Sequence, residues 1–163
     1  MPPLRIRQGA RALLLTPDDH VLLCRFEFDD LTVWALPGGG LEEGEDHVAA
    51  LHRELGEELG LSAPVIGAQV WFREHLIPFT SGLWDGQREQ VYLVECTDRF
   101  VPAPELTWEE LAAEHLHELR WWHLDEVDAV DDPRVVFAPR QLGSLLRRIA
   151  ADGPPAEPFD SGV

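Results

Sequence analysis

The chain has 163 residues, 45% of them hydrophobic, and a formal net charge of −17. The length suits one domain with its own core, and the charge argues against binding DNA or RNA by neutralising phosphates. All thirteen basic residues are arginine, so lysine Schiff-base chemistry and a Walker-type phosphate loop are excluded. No apolar run approaches the roughly 20 residues needed to span a bilayer. Met1 to Arg7 carries charge but no apolar core, so it does not read as a secretory signal. Cys24 and Cys96 lie far apart in apolar, strand-like stretches and read as buried thiols rather than a disulfide. A cytoplasmic protein is the expectation.

Gln8 to Thr16 and Val21 to Phe28 read as two strands, with turn chemistry at Pro17-Asp18-Asp19-His20 between them. Thr32 to Ala35 is a short strand that enters the loop Leu36-Pro37-Gly38-Gly39-Gly40, whose glycines let backbone approach a ligand closely. A helix follows from about Glu45 to Leu59, with Val48, Leu51, Leu55 and Leu59 at helical spacing. Pro64 to Phe72 and Gln90 to Cys96 look like further strands around a turn-rich stretch. Thr107-x-x-Glu110 is a capping-box pattern and predicts a helix from Trp108 to about His115. Leu119 to Leu124 reads as a strand. Phe137 to Ala150 forms a last helix, with Leu142, Leu145, Leu146 and Ile149 on its apolar face. Residues 1–150 then make one domain. Residues 151–163, with Gly153-Pro154-Pro155 and Pro158, read as a mobile tail. This order predicts an α/β fold with a mixed sheet and helices on both faces.

The chemistry concentrates in Arg53-Glu54-Leu55-Gly56-Glu57-Glu58. Positions i, i+3 and i+4 share a helical face, and like charges at that spacing destabilise a helix. Hard divalent cations take oxygen ligands, so a helix carrying Glu54, Glu57 and Glu58 together reads as one built to hold metal. At about 100° per residue, Glu54 and Glu58 flank the apolar stripe, which places them near the body of the domain.

The same segment fills a known pattern. Gly39, five residues, Glu45, seven residues, Arg53-Glu54-Leu55, one residue, Glu57-Glu58, one residue and Gly60-Leu61 resemble the Nudix box at every fixed position. The resemblance covers about Arg5 to Ala150, although only residues 39–61 carry a specific motif. It implies a Nudix α/β/α sandwich with a mixed central β-sheet, the motif helix and a C-terminal helix. It also implies a MutT-like, Mg2+- or Mn2+-dependent hydrolase that cleaves a pyrophosphate bond in a nucleoside diphosphate linked to another group. Glu57 and Glu58 are then the first choices as metal ligands, with the Gly39 carbonyl as a further contact. Glu54 is a ligand or the base that activates water, and Glu45 and Arg53 are structural.

Relatives of this kind often add an acid from outside the box, for which Glu89, Glu114 and Glu118 are the candidates. The resemblance places Arg25, at the end of the second strand, where a basic residue often meets substrate phosphate in the family; Arg73 and Arg88 are weaker candidates. Gln141 lies where a base edge is read in nucleotide-specific relatives. The six tryptophans include stacking platforms in principle, but their strand positions read as core. The histidines show no zinc-ligand spacing. The expected partner is a small nucleotide-type molecule, with no nucleic acid and no membrane, and a homodimer is left open. Two alternatives share the fold. An isopentenyl-diphosphate isomerase would need a catalytic cysteine in a setting that neither Cys24 nor Cys96 has. A non-catalytic nucleotide sensor would usually bring a further domain.

Overall fold

The structure, a computed structural model, describes residues 1–163. Its strands and helices run β1 (Ile6–Leu13), β2 (His20–Phe28), β3 (Leu31–Ala35), β4 (Gly38–Gly40), α1 (His47–Leu59), β5 (Ile66–His75), β6 (Gly86–Val94), α2 (Trp108–Ala113), β7 (Leu116–His123), α3 (Leu124–Ala129), β8 (Val135–Ala138), α4 (Leu142–Asp152) and β9 (Phe159–Asp160). The mixed pairing expected from the element order is present, distributed over two sheets. One has the order β4-β1-β6-β5-β9 and the other β7-β2-β3-β8. Pairs β1–β6, β3–β8 and β5–β9 are parallel and the others antiparallel. The division begins at the first turn, where only the Leu15–Val21 bridge joins the ends of β1 and β2.

Alternation along β1 assigns its two faces. Ala10, Ala12 and Leu14 pack with Leu51, Leu55 and Leu59 of α1. Leu13 joins Val21, Leu23, Trp34, Trp71, Trp122 and the Leu142, Leu145, Leu146 and Ile149 stripe of α4. The two long helices therefore cover different faces, with alanines where α1 lies against the sheet. Helix α1 starts because the Asp46 side chain accepts from the Ala49 N–H at 2.8 Å. It stops at Gly60, where φ is 72° and the N–H returns to the helix carbonyls. The apolar stripe is shorter than expected: Leu51, Leu55 and Leu59 are buried, but Val48 is exposed.

Several elements depart from the sequence reading. Strands β5 and β6 extend toward each other through Arg73↔Glu89, Glu74↔Arg88 and His75↔Gln87, residues too polar to announce a strand. Helix α3 was not expected; a capping box between His123 and Glu126 starts it. Phe137 and Ala138 belong to β8 rather than to the last helix. Pro139 disfavours helix at the residue before it, and α4 begins only at Leu142. In residues 151–163, Ala151 and Asp152 complete α4 and the chain then returns to the sheet. Phe159 and Asp160 pair with Trp71 and Phe72 of β5, and the Ser161 N–H donates to the Phe72 carbonyl at 2.9 Å. Phe159 lies against Trp71, with the Arg148 guanidinium 5.0 Å from its ring centre.

Candidate active site

Strand β4 is the edge of the first sheet, and α1 crosses over it. Glu54 and Glu58 face inward, at 7% and 3% exposure, while Glu57 is half-buried. Gly39 lies so close to Glu54 that a Cβ there would overlap its carboxylate. Glu58 Oε2 accepts from the Gly38 N–H at 3.3 Å and from the Cys24 thiol at 3.6 Å. Arg53 ties the motif together. It donates to Glu45 at 2.8 and 3.0 Å, to Glu54 at 3.0 Å, to Glu57 at 3.3 Å and to the Gly40 carbonyl at 2.9 Å. The hydrogen bond from Arg53 and the Glu42 N–H hold the Glu45 carboxyl below its usual range.

Charge is not balanced around these acids. Burial and the neighbouring Glu54 push Glu58 well above the ordinary carboxylate range, against the pull of Arg11. Burial, then Glu54, also raises Glu57, with Arg53 opposing and Glu114 adding. Glu114, largely exposed at the end of α2, is raised first by partial burial and then by Glu54. Of the acids outside the motif, Glu114 is thus the one whose charge is felt at the α1 carboxylates. Glu118 binds Arg25 at 2.9 Å. Glu89 is buried and paired with Arg11 at 3.0 Å and Arg73 at 3.3 Å.

These acids fit a divalent cation by the chemistry of the donor set, which is hard carboxylate oxygens carrying negative charge that Arg53 and Arg11 only partly oppose. No three acidic, histidine or cysteine side chains converge on one point. Arg53, the Gly38 N–H and the Cys24 thiol hold the carboxylates apart instead.

Arg25 is not drawn to α1. It is bracketed by Glu118 and Glu27, and on β2 it faces the side opposite Cys24, which touches Glu58. Its charge is already met by two carboxylates, which counts against the phosphate role expected of it. Gln141 is the exposed N-cap residue of α4, and its side chain makes no capping bond. Sequence reasoning missed Arg7, Arg11 and Gln87. Arg11 is a half-buried cation whose guanidinium donates to the Gly38 carbonyl at 2.9 Å and the Leu36 carbonyl at 3.3 Å, which fixes the path of the glycine loop. Arginine between Ala10 and Ala12, at the start of the strand's apolar half, was the available signal.

The NUDIX domain family matches residues 5–142, and the chain belongs to that family. Among curated proteins it is similar to the nucleoside triphosphatase NudI of Enterobacter sp. (strain 638), with 39% identity over 77 residues, 45% of this chain and 53% of that protein. NudI of Salmonella agona (strain SL483) is 37% identical over 86 residues, 50% of this chain and 59% of that protein. The matched segment thus spans between half and two thirds of these relatives' length. Among solved structures, E. coli ORF135 matches with a TM-score of 0.59 at 22% identity, over 96% of this chain and 100% of that one. The Nudix domain of Shewanella oneidensis NrtR, solved with ADP ribose, matches with a TM-score of 0.63 at 20% identity, over 88% of this chain and 87% of that one. At such identities the likeness is one of fold.

Proposed function

We propose that this protein is a divalent-metal-dependent hydrolase of the pyrophosphate bond in nucleotides or their derivatives. The observation that carries the reading is the set of under-neutralised carboxylates on α1 held against the glycine loop of β4. Mg2+ or Mn2+ is the proposed cofactor, with Glu57, Glu58 and the Gly39 carbonyl as its holders. When bound, it would neutralise phosphate charge and lower the pKa of water. Glu54, against Gly39, either shares in holding it or takes the proton of the attacking water. Oxygen from that water bonds to one phosphorus as the bridging P–O bond breaks. Glu114 is the auxiliary acid, and Arg53 is a positioning residue that orients Glu54 and Glu57. The NudI relatives are named nucleoside triphosphatases, which makes nucleoside triphosphates the first substrates to try.

The test is phosphate release from a nucleotide panel. Activity should vanish in excess chelator and return with Mg2+ or Mn2+. The same metal should raise the melting temperature, because a ligand selective for the native state stabilises it. Full activity in chelator would defeat the mechanism. Nucleotide-induced stabilisation without turnover would instead make the chain a sensor. The isomerase reading is poorly supplied, because Cys24 is fully buried and burial with Glu58 beside it pushes its thiol pKa well up. No helix is long and apolar enough to cross a membrane.

Gly39→Ala tests the loop separately. Gly39 does not have a positive φ, so the backbone accepts alanine, and the Glu54 carboxylate must give way. Misplacing a catalytic group by about an ångström is enough to lower turnover tenfold or more. The variant should melt near wild type yet lose that turnover. Wild-type kinetics would show that the contact between Glu54 and the loop is dispensable.

A further inference from the structure

Arginine is this chain's only strong cation, and most of the half-buried arginines have carboxylate partners. Arg11 and Arg73 share Glu89, Glu27 and Glu118 bracket Arg25, and Arg53 binds Glu45, Glu54 and Glu57. Arg120 pairs with Glu126. Arg88, Arg140 and Arg148 form no ion pair but are exposed. Arg7 alone is half-buried with no ion pair. Its one hydrogen bond runs from Nη1 to the neutral Gln87 side chain, at 3.3 Å. A guanidinium has five N–H donors, so most of its capacity is unspent. Burial lowers the Arg7 pKa, with Arg11 adding to the effect, as befits a cation drawn from water without a counter-charge.

The place of these spare donors is informative. Gly40 packs directly on the Arg7 guanidinium, and a Cβ at residue 40 would overlap it. The neighbouring Gly39 packs on Glu54 in the same way. The free cation therefore stands one residue along β4 from the carboxylate helix. Glu54 and Glu114 act on Arg7 electrostatically without touching it. The Phe79 ring centre lies 5.7 Å from the guanidinium carbon, and Gln87, itself buried, fixes the fork from behind. Next in line, Arg73 binds Glu89 and leaves its buried Nε without a partner.

A buried charge lacking a partner is costly to the fold, and a guanidinium fork matches phosphate oxygens bidentately. We propose that Arg7 is the phosphate-binding residue of this site, taking the oxygens of a substrate phosphate other than the one attacked. The assignment rests on the pyrophosphohydrolase reading and moves the phosphate contact from Arg25 to Arg7.

Methylenediphosphonate with Mg2+ is a suitable probe, because its bridging carbon blocks cleavage. Wild-type protein would be labelled with an arginine-specific dicarbonyl, with and without saturating probe, and the modified residues read by mass spectrometry. Labelling at Arg7 should slow several-fold and stay unchanged at Arg134, which is exposed and paired with Asp132. Absence of probe binding, or saturation without protection of Arg7, overturns the assignment. This arm uses the native chain, so it does not depend on a variant folding. In the second arm, Arg7→Met should raise KM about tenfold or more with kcat within about threefold, the pattern of a contact made equally in ground and transition states. An unchanged KM in folded Arg7→Met also overturns it. A wild type inactive on the whole nucleotide panel defeats the hydrolase reading itself, whereas an active wild type with unprotected Arg7 defeats only this assignment.

Discussion

Glu58→Gln should lower turnover by about a hundredfold or more, the scale on which single electrostatic catalytic groups act, while the metal-free protein melts no lower than wild type. Both halves follow from one environment. Glu58 is 3% exposed, shares its surroundings with Glu54, and is held in place by the Gly38 N–H and the Cys24 thiol. Glutamine keeps the size and an oxygen to accept from Gly38, so the geometry of the loop survives. What it removes is a carboxylate charge that is buried and repelled, which the fold bears at a cost without metal. That charge becomes useful only with a cation bound. The variant should therefore lose much of the metal-induced rise in melting temperature that wild type shows. Steady-state kinetics and melting curves with and without Mg2+ decide the matter. Near-wild-type kcat would mean that α1 is not the catalytic centre. A drop of several degrees in metal-free melting would mean that Glu58 anchors the loop and is not strained.

The parts of this fold legible in the sequence are those written in local spacing. Helix α1 is one: its stripe, its stop at Gly60 and its glutamates all lie within 39–61. The core strands β1 and β2 are another, because short apolar runs bounded by the turn residues Pro17 to Asp19 mark them. The α4 stripe was equally plain, but its start was misplaced, since Phe137 is apolar in either a strand or a helix and only Pro139 separates the two. Strands β5 and β6 were read short for a different reason. Their facing ends carry Arg73, His75, Gln87 and Glu89, and a strand whose inner face is polar shows no hydrophobic alternation to detect. Strand β9 hides in a segment with Gly153 and three prolines, and Phe159 is its one apolar clue. The polar side chains around the glycine loop were the least legible part. Arg7 meets Gln87 across 80 residues and Arg11 meets Glu89 across 78. No local pattern announces such pairs; the parallel register of β1 on β6 creates them. Glu89 could be named as an acid from the sequence, but what it binds could not.

That partner set gives Glu89→Gln the largest expected effect on stability. Glu89 is 6% exposed and sits between two guanidinium groups, Arg11 at 3.0 Å and Arg73 at 3.3 Å. Burial alone would raise its pKa, but Arg11 and Arg73 outweigh burial and hold it below the ordinary carboxylate range. Removing one partner of a buried pair leaves uncompensated charge, typically at about 3–5 kcal/mol, and here one change strands two arginines. Glutamine is isosteric, so the loss isolates charge from packing. Urea unfolding without metal at neutral pH should show a loss of about 3 kcal/mol or more. The pH dependence has a definite sign. A carboxylate whose folded pKa is depressed contributes its stability above its unfolded pKa and loses it as pH falls through the folded value. The gap between wild type and variant should therefore be full at neutral pH and close on acidification below the ordinary carboxylate range. The competing role for Glu89 is that of auxiliary metal ligand. In that case the variant would unfold like wild type without metal and differ only in the stabilisation that Mg2+ adds. Because Arg11 also holds the Gly38 carbonyl, the ion-pair reading further requires that the loss of stability be accompanied by loss of turnover through a displaced glycine loop. A metal-free unfolding free energy within about 0.5 kcal/mol of wild type, the range of an ordinary surface substitution, would show that the arginines do not depend on this carboxylate.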